Sequence, residues 1–321
     1  MNQRTVARTI RHSGVGLHSG LPVQIEIQPS GAHSGVRFIR TDLNPPTEIK
    51  ASPQAVFDTT LATRIGSPTA YISTVEHLMA ALFGLGIDNA RILVDGPELP
   101  IVDGSSVPWL ILLDEAGVEE LPVPRSVRVV KKPIEIGDPR DPSRFIRVEP
   151  SKDPYITYSI DFRNSELIGA QTVSMPLTGR RFCEELAHAR TFCTAEEVDY
   201  MRSRGLARGG SLENAIVVSR TSGLLNEQGL RSPDEFVRHK LLDCIGDLAL
   251  LGTPLIGHVI AHKAGHDLHT ALAKELFYES ERVELLCPDV KSRKKSLAKL
   301  ADFPSSLAEL PLFARLSLVT G

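Results

Sequence analysis

Short stretches of alternating hydrophobic and polar residues open the chain, and apolar helical stretches follow them. Alternation with a period of two is typical of a half-buried strand, whereas a longer apolar run behind capping residues favours a helix. In order along the sequence, this pattern predicts strands at 21–28 and 36–40, a helix at about 73–83, a strand at 90–96 and a helix at 107–117. In the first half, the early strands therefore precede the helices.

The same order of elements begins again after the segment LPVPRSV near residues 121–127, which is the predicted boundary between two domains. The pattern then predicts strands near 127–136, 144–149 and 155–162, helices, a strand at 255–262 and a helix at about 267–279. This order favours the α+β class over a doubly wound parallel sheet. We therefore predict an N-terminal α+β domain at 1–122, a C-terminal α+β domain at 127–285 and a tail at 286–321, which we interpret as a surface appendage.

The first predicted helix carries two polar groups at its start. Ser73 and Glu76 fit a capping box, with serine at the N-cap and glutamate at the third helical position. Residues 78–83 are apolar on all sides, which is typical of a buried helix. Because burying an unpaired charge is costly, Glu76 and His77 are either a cap and a hydrogen-bonded core histidine or parts of a site. The helix alone leaves both interpretations open.

A second predicted helix carries a polar stripe opposite its apolar face. Ser232 at the N-cap, Pro233 at the first position and Glu235 at the third mark its start. The stripe consists of His239, Lys240, Asp243 and Asp247. Histidine and aspartate four residues apart can reach one cation, and Gly246 beside them leaves room for a close approach. By itself, however, a solvated face with salt bridges is the simpler explanation.

A third segment, GHVIAHKAGHDLH, contains regularly spaced histidines. His258, His262 and His266 recur at i,i+4 spacing, as they would in a metal-binding stripe on a helix. The β-branched residues and flanking glycines instead favour a strand that ends at Lys263, which would separate these histidines. Only His266, after the turn at Gly265, is then placed for chemistry.

Composition narrows the class of protein. The chain has 321 residues, of which 42% are hydrophobic and 23% charged, as expected for about two globular domains. A net charge of −3 argues against a nucleic-acid surface. The four cysteines form no CxxC pair, the N-terminus has no apolar signal region, and glycine and proline interrupt the longest apolar stretch, 248–261. We expect reduced thiols, no nucleic-acid partner, no stable membrane insertion and a cytoplasmic location.

Seven segments of the chain are similar, in order, to one protein family. They are GVGLHSG (14–20), TDLNPP (41–46), STVEHLMAALFGLGIDN (73–89), ARTF (189–192), SRGLARGGSLENAIVV (203–218), DEFVRHKLLDCIGDL (234–248) and HKAGHDLH (262–269). The chain resembles the UDP-3-O-acyl-N-acetylglucosamine deacetylases of lipid A synthesis. The resemblance implies two domains of similar β-α-α-β layering with the active site between them. It also implies an insert at about 194–218 that walls a passage for the acyl chain.

The resemblance further implies roles for individual residues in the reaction. By position, the ligands of one catalytic zinc ion are His77, His239 and Asp243, the general base is Glu76, and the second catalytic group is His266 with Asp247 as its hydrogen-bond partner. Thr191 matches a hydroxyl that helps to hold the oxyanion. Fe²⁺ is the alternative metal ion.

Other positions are implied to contact an acylated UDP-sugar substrate. Lys240 and Lys263 match positions that meet the diphosphate, and Phe192 and Phe162 match aromatic contacts to the sugar and the uracil. The whole pattern predicts a zinc-dependent hydrolase that removes the N-acetyl group and releases acetate and a free 2-amino sugar.

Two other classes of protein fit parts of this pattern. Two histidines and one carboxylate also form the facial triad of iron(II) oxygenases, although here they fall on helices of two predicted domains. A non-catalytic protein that binds nucleotide sugars is the other alternative, but it would not need Glu76 or His266.

Overall fold

The two halves of the chain contain the same succession of main elements. The computed structural model describes residues 1–163, 165–287, 302–304 and 306–313. The first half contains β1 (Asn2–Val6), β2 (Ile10–Val15), β3 (Pro22–Gln28), β4 (Val36–Arg40), β5 (Thr47–Lys50), β6 (Val56–Asp58), β7 (Arg64–Ser67), β8 (Ala70–Ile72), α1 (Glu76–Leu85), β9 (Ala90–Val94), α2 (Val107–Ala116) and β10 (Val118–Pro124). The second half contains β11 (Val127–Val130), β12 (Ile134–Asp138), β13 (Asp141–Glu149), β14 (Tyr155–Phe162), β15 (Gly169–Pro176), α3 (Gly179–Arg181), β16 (Phe192–Thr194), α4 (Ala195–Ser203), β17 (Ile216–Ser219), β18 (Gly223–Leu224), α5 (Glu235–Ala249), β19 (Leu255–Ile256), β20 (His258–His262), α6 (His266–Tyr278) and β21 (Val283–Leu286).

Each half forms one five-stranded sheet, and the two sheets share one topology. The strand order is β2-β3-β9-β4-β5 in the first half and β12-β13-β20-β14-β15 in the second. The central strand, β9 or β20, is antiparallel to one neighbour and parallel to the other. This repeat of a mixed sheet with helices confirms the predicted α+β class. The limits 1–122 and 127–285 stay a prediction.

The sheets bury one face against the helices. In β3, Val23, Ile25 and Ile27 are buried and Gln24 is exposed, as the alternating pattern predicts. Helix α2 contacts β2 of the first sheet, and α5 and α6 contact strands of the second. Helices α1 and α5 pack against each other, so the helices of the two halves meet between the sheets.

Each half also carries a three-stranded sheet inserted before its most buried helix. Strands β6-β7-β8 lie between β5 and α1, and strands β16-β17-β18 lie between β15 and α5. Helix α4 lies between β16 and β17 in the chain and contacts both strands of the second inserted sheet. The predicted insert at 194–218 falls within this region.

Helices α1 and α5 approach each other closely at Gly246. A Cβ atom added to Gly246 would lie 2.1 Å from the carbonyl oxygen of Glu76. Any side chain at position 246 would therefore push the two helices apart. The expectation that Gly246 leaves room for a close approach is confirmed, and the element that approaches is α1.

Both capping boxes predicted from the sequence are wrong. Glu76 is the first residue of α1, after Val75 at the N-cap, and Thr74 has a φ of 60°, so Ser73 does not cap the helix. Glu235 is likewise the first residue of α5. Its buried carboxylate accepts hydrogen bonds from Arg190 and from the backbone N–H of Arg231, which lies one residue before the predicted N-cap. In both cases the glutamate that the local pattern assigns to a cap accepts a hydrogen bond from a residue distant in the sequence, Thr63 for Glu76 and Arg190 for Glu235.

Several predicted strands are found with small changes in their limits. The predicted strand at 127–136 is divided into β11 and β12, and the one at 255–262 into β19 and β20. Strand β20 ends at His262, so His258 and His262 lie on a sheet and not on a metal-binding helix, as expected. Among the described residues, no helix is long and apolar enough to cross a membrane.

The description of the tail as a surface appendage is wrong for the part that the structure describes. Leu307, Leu310 and Phe313 are buried. The ring of Phe303 lies under the guanidinium groups of Arg4 and Arg125, at 5.2 and 5.3 Å. The sequence pattern could not assign these apolar side chains to an element, but in the structure they pack against the rest of the chain. The basic segment KSRKK of the tail, at 291–295, lies outside the described residues.

The close approach at Gly246 generates a prediction about stability. Alanine is favoured over glycine within a helix by roughly 0.5–1 kcal/mol. We nevertheless expect Gly246→Ala to lower the free energy of unfolding by about 1–3 kcal/mol, because its methyl group meets the backbone of α1. Urea titration measures this change.

Gly31→Ala is the matched control for this substitution. Gly31 is exposed and a Cβ added there meets nothing within 4 Å, so its stability should stay within about 0.5 kcal/mol of the wild type. If Gly246→Ala were as stable as this control, α1 and α5 would not depend on their close approach.

Candidate active site

Three side chains with metal-binding atoms meet where α1 contacts α5. His77 is the second residue of α1, and His239 and Asp243 lie one turn apart on α5. Their ligand atoms all lie within 4.8 Å of one another. The Nε2 atoms of His77 and His239 are 3.5 and 3.3 Å from Asp243 Oδ1. All three residues are buried, so the interpretation of the α5 stripe as a solvated face is wrong.

The chemistry of this cluster fits a metal ion. Asp243 Oδ1 is buried and accepts no hydrogen bond among the described residues, which is costly unless another group satisfies it. His239 Nδ1 donates to the carbonyl of Ala189 at 3.1 Å, which leaves the lone pair of Nε2 facing Asp243. Burial lowers the pKa of His239 to about 4, so the ring is neutral, as a ligand must be. Two imidazoles and a carboxylate suit zinc or iron(II).

Lys240 lies beside the cluster and contacts the other oxygen of Asp243. Its ammonium group donates to Asp243 Oδ2 at 3.0 Å. Burial opposes ionisation of Asp243, but its charged and hydrogen-bonding neighbours, Lys240 among them, outweigh it and hold the pKa of Asp243 well below its usual value. Asp243 is therefore a carboxylate with one oxygen paired and the other free for an ion.

Two groups suited to proton transfer border the same cluster. His266 Nε2 lies 3.8 Å from Glu76 Oε1 and 3.9 Å from Asp243 Oδ2. His266 Nδ1 donates to Asp247 Oδ2 at 2.8 Å. Burial raises the pKa of Glu76 above its usual value. Burial also opposes the charge on His266, but Asp247, Glu76 and Asp243 outweigh it and raise the pKa of His266 to about 9. A carboxyl group and a protonated imidazole thus face each other.

Two residues that the sequence did not single out complete this network. Thr63, immediately before β7, donates its backbone N–H to Glu76 Oε2 at 3.2 Å and its hydroxyl to Asp247 Oδ1. His269 Nδ1 donates to Asp247 Oδ2 at 2.9 Å. His269 follows His266 by three residues, and this helical spacing is a signal that could have found it. No comparable signal marks Thr63, a threonine before a strand in a different half of the chain.

A cavity of about 650 Å³ lies next to the cluster of His77, His239 and Asp243, because Phe192 lines the cavity and neighbours His239. Helix α4 with strands β16 and β17 forms half of its wall, and Thr191, Phe192 and Val217 line it. The ring of Phe192 lies 6.2 Å from the ring of His239 and 5.7 Å from that of Phe162. The structure thus brings Phe162, Phe192 and the cluster into one continuous region.

Two predicted site residues lie apart from the hydrogen-bonded cluster. Lys263 donates to Asp141 Oδ2 at 2.8 Å and to Ser143 Oγ at 3.0 Å, at the start of β13. Thr191 lies in the cavity wall, and its backbone pairs with Gly104 and Ile216. The structure thus places Thr191 in the wall of the cavity, and Lys263 in contact with two residues of β13.

Comparison with known proteins identifies the family. A sequence profile described as UDP-3-O-acyl N-acetylglycosamine deacetylase matches residues 3–278. A protein with the name UDP-3-O-acyl-N-acetylglucosamine deacetylase from Anaeromyxobacter dehalogenans (strain 2CP-C) is 45% identical over 313 residues, 98% of this chain and 96% of the relative. Relatives of the same name from Campylobacter jejuni (strain RM1221) and Wolinella succinogenes are 44% and 45% identical, covering 92% and 89% of this chain and 98% and 94% of their own lengths.

The chain belongs to this deacetylase family. The family that the seven sequence segments indicated is thereby confirmed. Because the match includes both halves, α1 and α5 with their polar side chains lie inside the family region.

The pairing of His266 with Asp247 generates a prediction about protonation. Asp247→Asn removes the negative charge that contacts His266 Nδ1, so the pKa of His266 should fall by at least about one pH unit from about 9. NMR titration of the imidazole measures it. Asp267→Asn is the control, because Asp267 neighbours His266 but pairs with Arg144. An equal shift in both variants would contradict a specific Asp247–His266 interaction.

Proposed function

We propose that this chain is a zinc-dependent deacetylase that removes the N-acetyl group from UDP-3-O-acyl-N-acetylglucosamine, in the cytoplasm and as a step of lipid A synthesis. One observation carries the proposal: a base and an acid, Glu76 and His266, lie 3.8 Å apart against a buried cluster of two histidines and one aspartate. Membership in the deacetylase family supports the same reaction.

We assign the metal ion to His77, His239 and Asp243. Three protein ligands are typical of catalytic zinc sites, which keep one position open. When bound, zinc supplies Lewis-acid chemistry that lowers the pKa of water and polarises a carbonyl group. Fe²⁺ could occupy the same ligands, since imidazole and carboxylate suit both ions.

Glu76 and His266 divide the proton transfers between them. Glu76, whose carboxylate accepts a hydrogen bond from the Thr63 N–H, takes the proton of the water that attacks the acetamide carbonyl. His266, a cation at neutral pH, stabilises the negative charge that develops on the carbonyl oxygen, and the Thr191 hydroxyl assists it. His266 then donates its proton to the departing nitrogen. Cleavage of the C–N bond gives acetic acid and an amine. Acetic acid then returns a proton to His266 and Glu76 gives its proton to the amine, so that the amide and one water become acetate and an ammonium group, and atoms and charge balance.

The remaining predicted residues are proposed contacts to the substrate. Lys240 and Lys263 carry the positive charges that would meet the diphosphate. Phe192 and Phe162 offer aromatic faces to the sugar and the uracil next to the cluster. In this structure both lysines pair with aspartates, so we infer that the diphosphate competes with Asp243 and Asp141 for them.

The cavity beside Phe192 is the proposed site of the acyl chain. Its wall contains Val198, Met201, Ala215 and Val217, and more of the surface that lines it is apolar than polar. Burying a methylene group contributes about 0.8 kcal/mol, which can hold the acetamide against the cluster. This supports the insert as a wall of an acyl passage over the alternative that it only completes the core.

The two alternative classes are less well supported. A protein that only binds nucleotide sugars would have no need of a carboxylate and an imidazolium beside an ion site. An iron(II) oxygenase shares the ligand set, but the chain matches a family of deacetylases along most of its length.

Metal removal tests the assignment of the ligands. A chelated sample should lose acetate release from the acylated substrate, and zinc should restore it. His77→Ala should lower both the zinc content and kcat, because it removes one of three ligands. Metal analysis and an acetate assay measure the two quantities. Turnover by a demonstrably metal-free sample would contradict the proposal.

Glu76→Gln is the matched control in the neighbouring position. Glutamine keeps the size of the side chain and an acceptor for the Thr63 N–H, but it cannot take a proton. We expect normal zinc content and a fall in kcat of ~10²-fold or more. Near-normal turnover would mean that Glu76 is not the base.

The acyl passage generates a prediction about substrates. UDP-N-acetylglucosamine without the 3-O-acyl group should have a kcat/KM lower by ~10²-fold or more, since the energy of chain burial is lost. Ala215→Leu, which narrows the cavity, should lower kcat/KM for the acylated substrate only. Turnover of the unacylated sugar is the control for folding. Equal kcat/KM values for the two substrates in the wild type would contradict the passage.

A further inference from the structure

Thr63 contacts both halves of the proton-transfer network. It is fully buried and lies immediately before β7, in the inserted sheet of the first half. Its backbone N–H donates to Glu76 Oε2 at 3.2 Å, and its hydroxyl donates to Asp247 Oδ1. Asp247 lies on α5, in the second half of the chain. One residue thus contacts the proposed base and the aspartate that orients the proposed acid.

We propose that Thr63 is a positioning residue for the deacetylation, which fixes Asp247 and thereby the ring of His266 relative to Glu76. This role rests on the function proposed above. Thr63 acts through other side chains, so it is not itself a catalytic residue.

The hydrogen bonds of Asp247 explain why the hydroxyl matters. Its Oδ2 atom accepts from His266 Nδ1 at 2.8 Å and from His269 Nδ1 at 2.9 Å. Among the described residues, the Thr63 hydroxyl is the donor to Oδ1. Without it one oxygen of the carboxylate loses its partner inside the protein, and the group can pivot about the other. Pivoting moves Oδ2, and with it the imidazole that must meet the substrate.

The geometry around His266 agrees with this role. Thr63 Oγ1 lies 3.2 Å from His266 Nδ1, so its lone pairs face the ring nitrogen while its proton goes to Asp247. An oxygen acceptor at that distance favours a protonated Nδ1. The same hydroxyl therefore contacts both members of the pair.

Thr63 contacts Glu76 through its backbone N–H and not through its side chain. Within the described part of the chain, the Thr63 N–H is the hydrogen-bond donor to the Glu76 carboxylate. Substitution of the side chain leaves this N–H in place. A variant at position 63 thus separates the contact with Asp247 from the contact with Glu76.

Thr63→Val and Thr63→Ser test the role. Valine keeps the branched shape and the backbone N–H but removes the hydroxyl, whereas serine keeps the hydroxyl. We expect Thr63→Val to lower kcat by ~10-fold or more with KM changed less than ~3-fold, because the misplaced group acts in the transition state. Thr63→Ser should retain most of the wild-type kcat. Thr60→Val is the control, since Thr60 lies in the same segment, is exposed, and bonds only Asp58 among the described residues.

A double-mutant cycle with Asp247→Asn decides whether Thr63 acts through Asp247. In that background Thr63→Val should cost little further activity, since the carboxylate it positions is gone. Equal losses in both backgrounds would overturn the proposal, as would a fully active Thr63→Val protein.

If valine prevents folding, judged by thermal unfolding, the pair Thr63→Ser and Thr63→Ala makes the same comparison. Absence of acetate release from the wild type would contradict the proposed function and this role together, whereas an active wild type with an equally active hydroxyl-free variant contradicts this role alone.

Discussion

The contact of α1 with α5 at Gly246 determines where the groups of the site lie. Because position 246 has no side chain, the backbone of Glu76 approaches α5 more closely than a Cβ atom would permit. This approach places Glu76 and His77, from the first half, against His239 and Asp243, from the second. Neither half contains the cluster alone, so the site exists only when the two halves are packed together.

The buried charges of the site depend on one another. Glu76, Asp243 and Asp247 are all buried carboxylates, and each would be costly without partners. Lys240 and the protonated His266 supply positive charge, while the Asp243 oxygen without a hydrogen bond among the described residues faces His77 and His239. A divalent cation would complete this balance. Asp243, one of the carboxylates that raise the pKa of His266, would thus also face the ion.

The repeated topology separates the scaffold from the features that differ between the halves. Both five-stranded sheets carry an inserted three-stranded sheet before the helix that enters the site. In the first half this insert brings Thr63 to Glu76 and Asp247. In the second half it forms part of the wall of the cavity next to Phe192. The two five-stranded sheets are alike, whereas the two inserts differ: the first supplies Thr63 to the site and the second supplies part of the cavity wall.

The sequence alone determined the α+β class, the family and most of the residues that the site brings together, because periodicity and long motifs are local signals. It identified Glu76, His77, His239, Asp243, Asp247 and His266, and it placed His258 and His262 on a strand. It misassigned Ser73, Glu76 and Glu235 to caps and the buried end of the tail to the surface, because Arg190 and the surface around Phe303 are distant in the chain. Only the tertiary structure decided that the polar stripe of α5 is buried and that Thr63 and His269 join it. A hydrogen bond across 184 residues leaves no local pattern, since it depends on how the two halves pack.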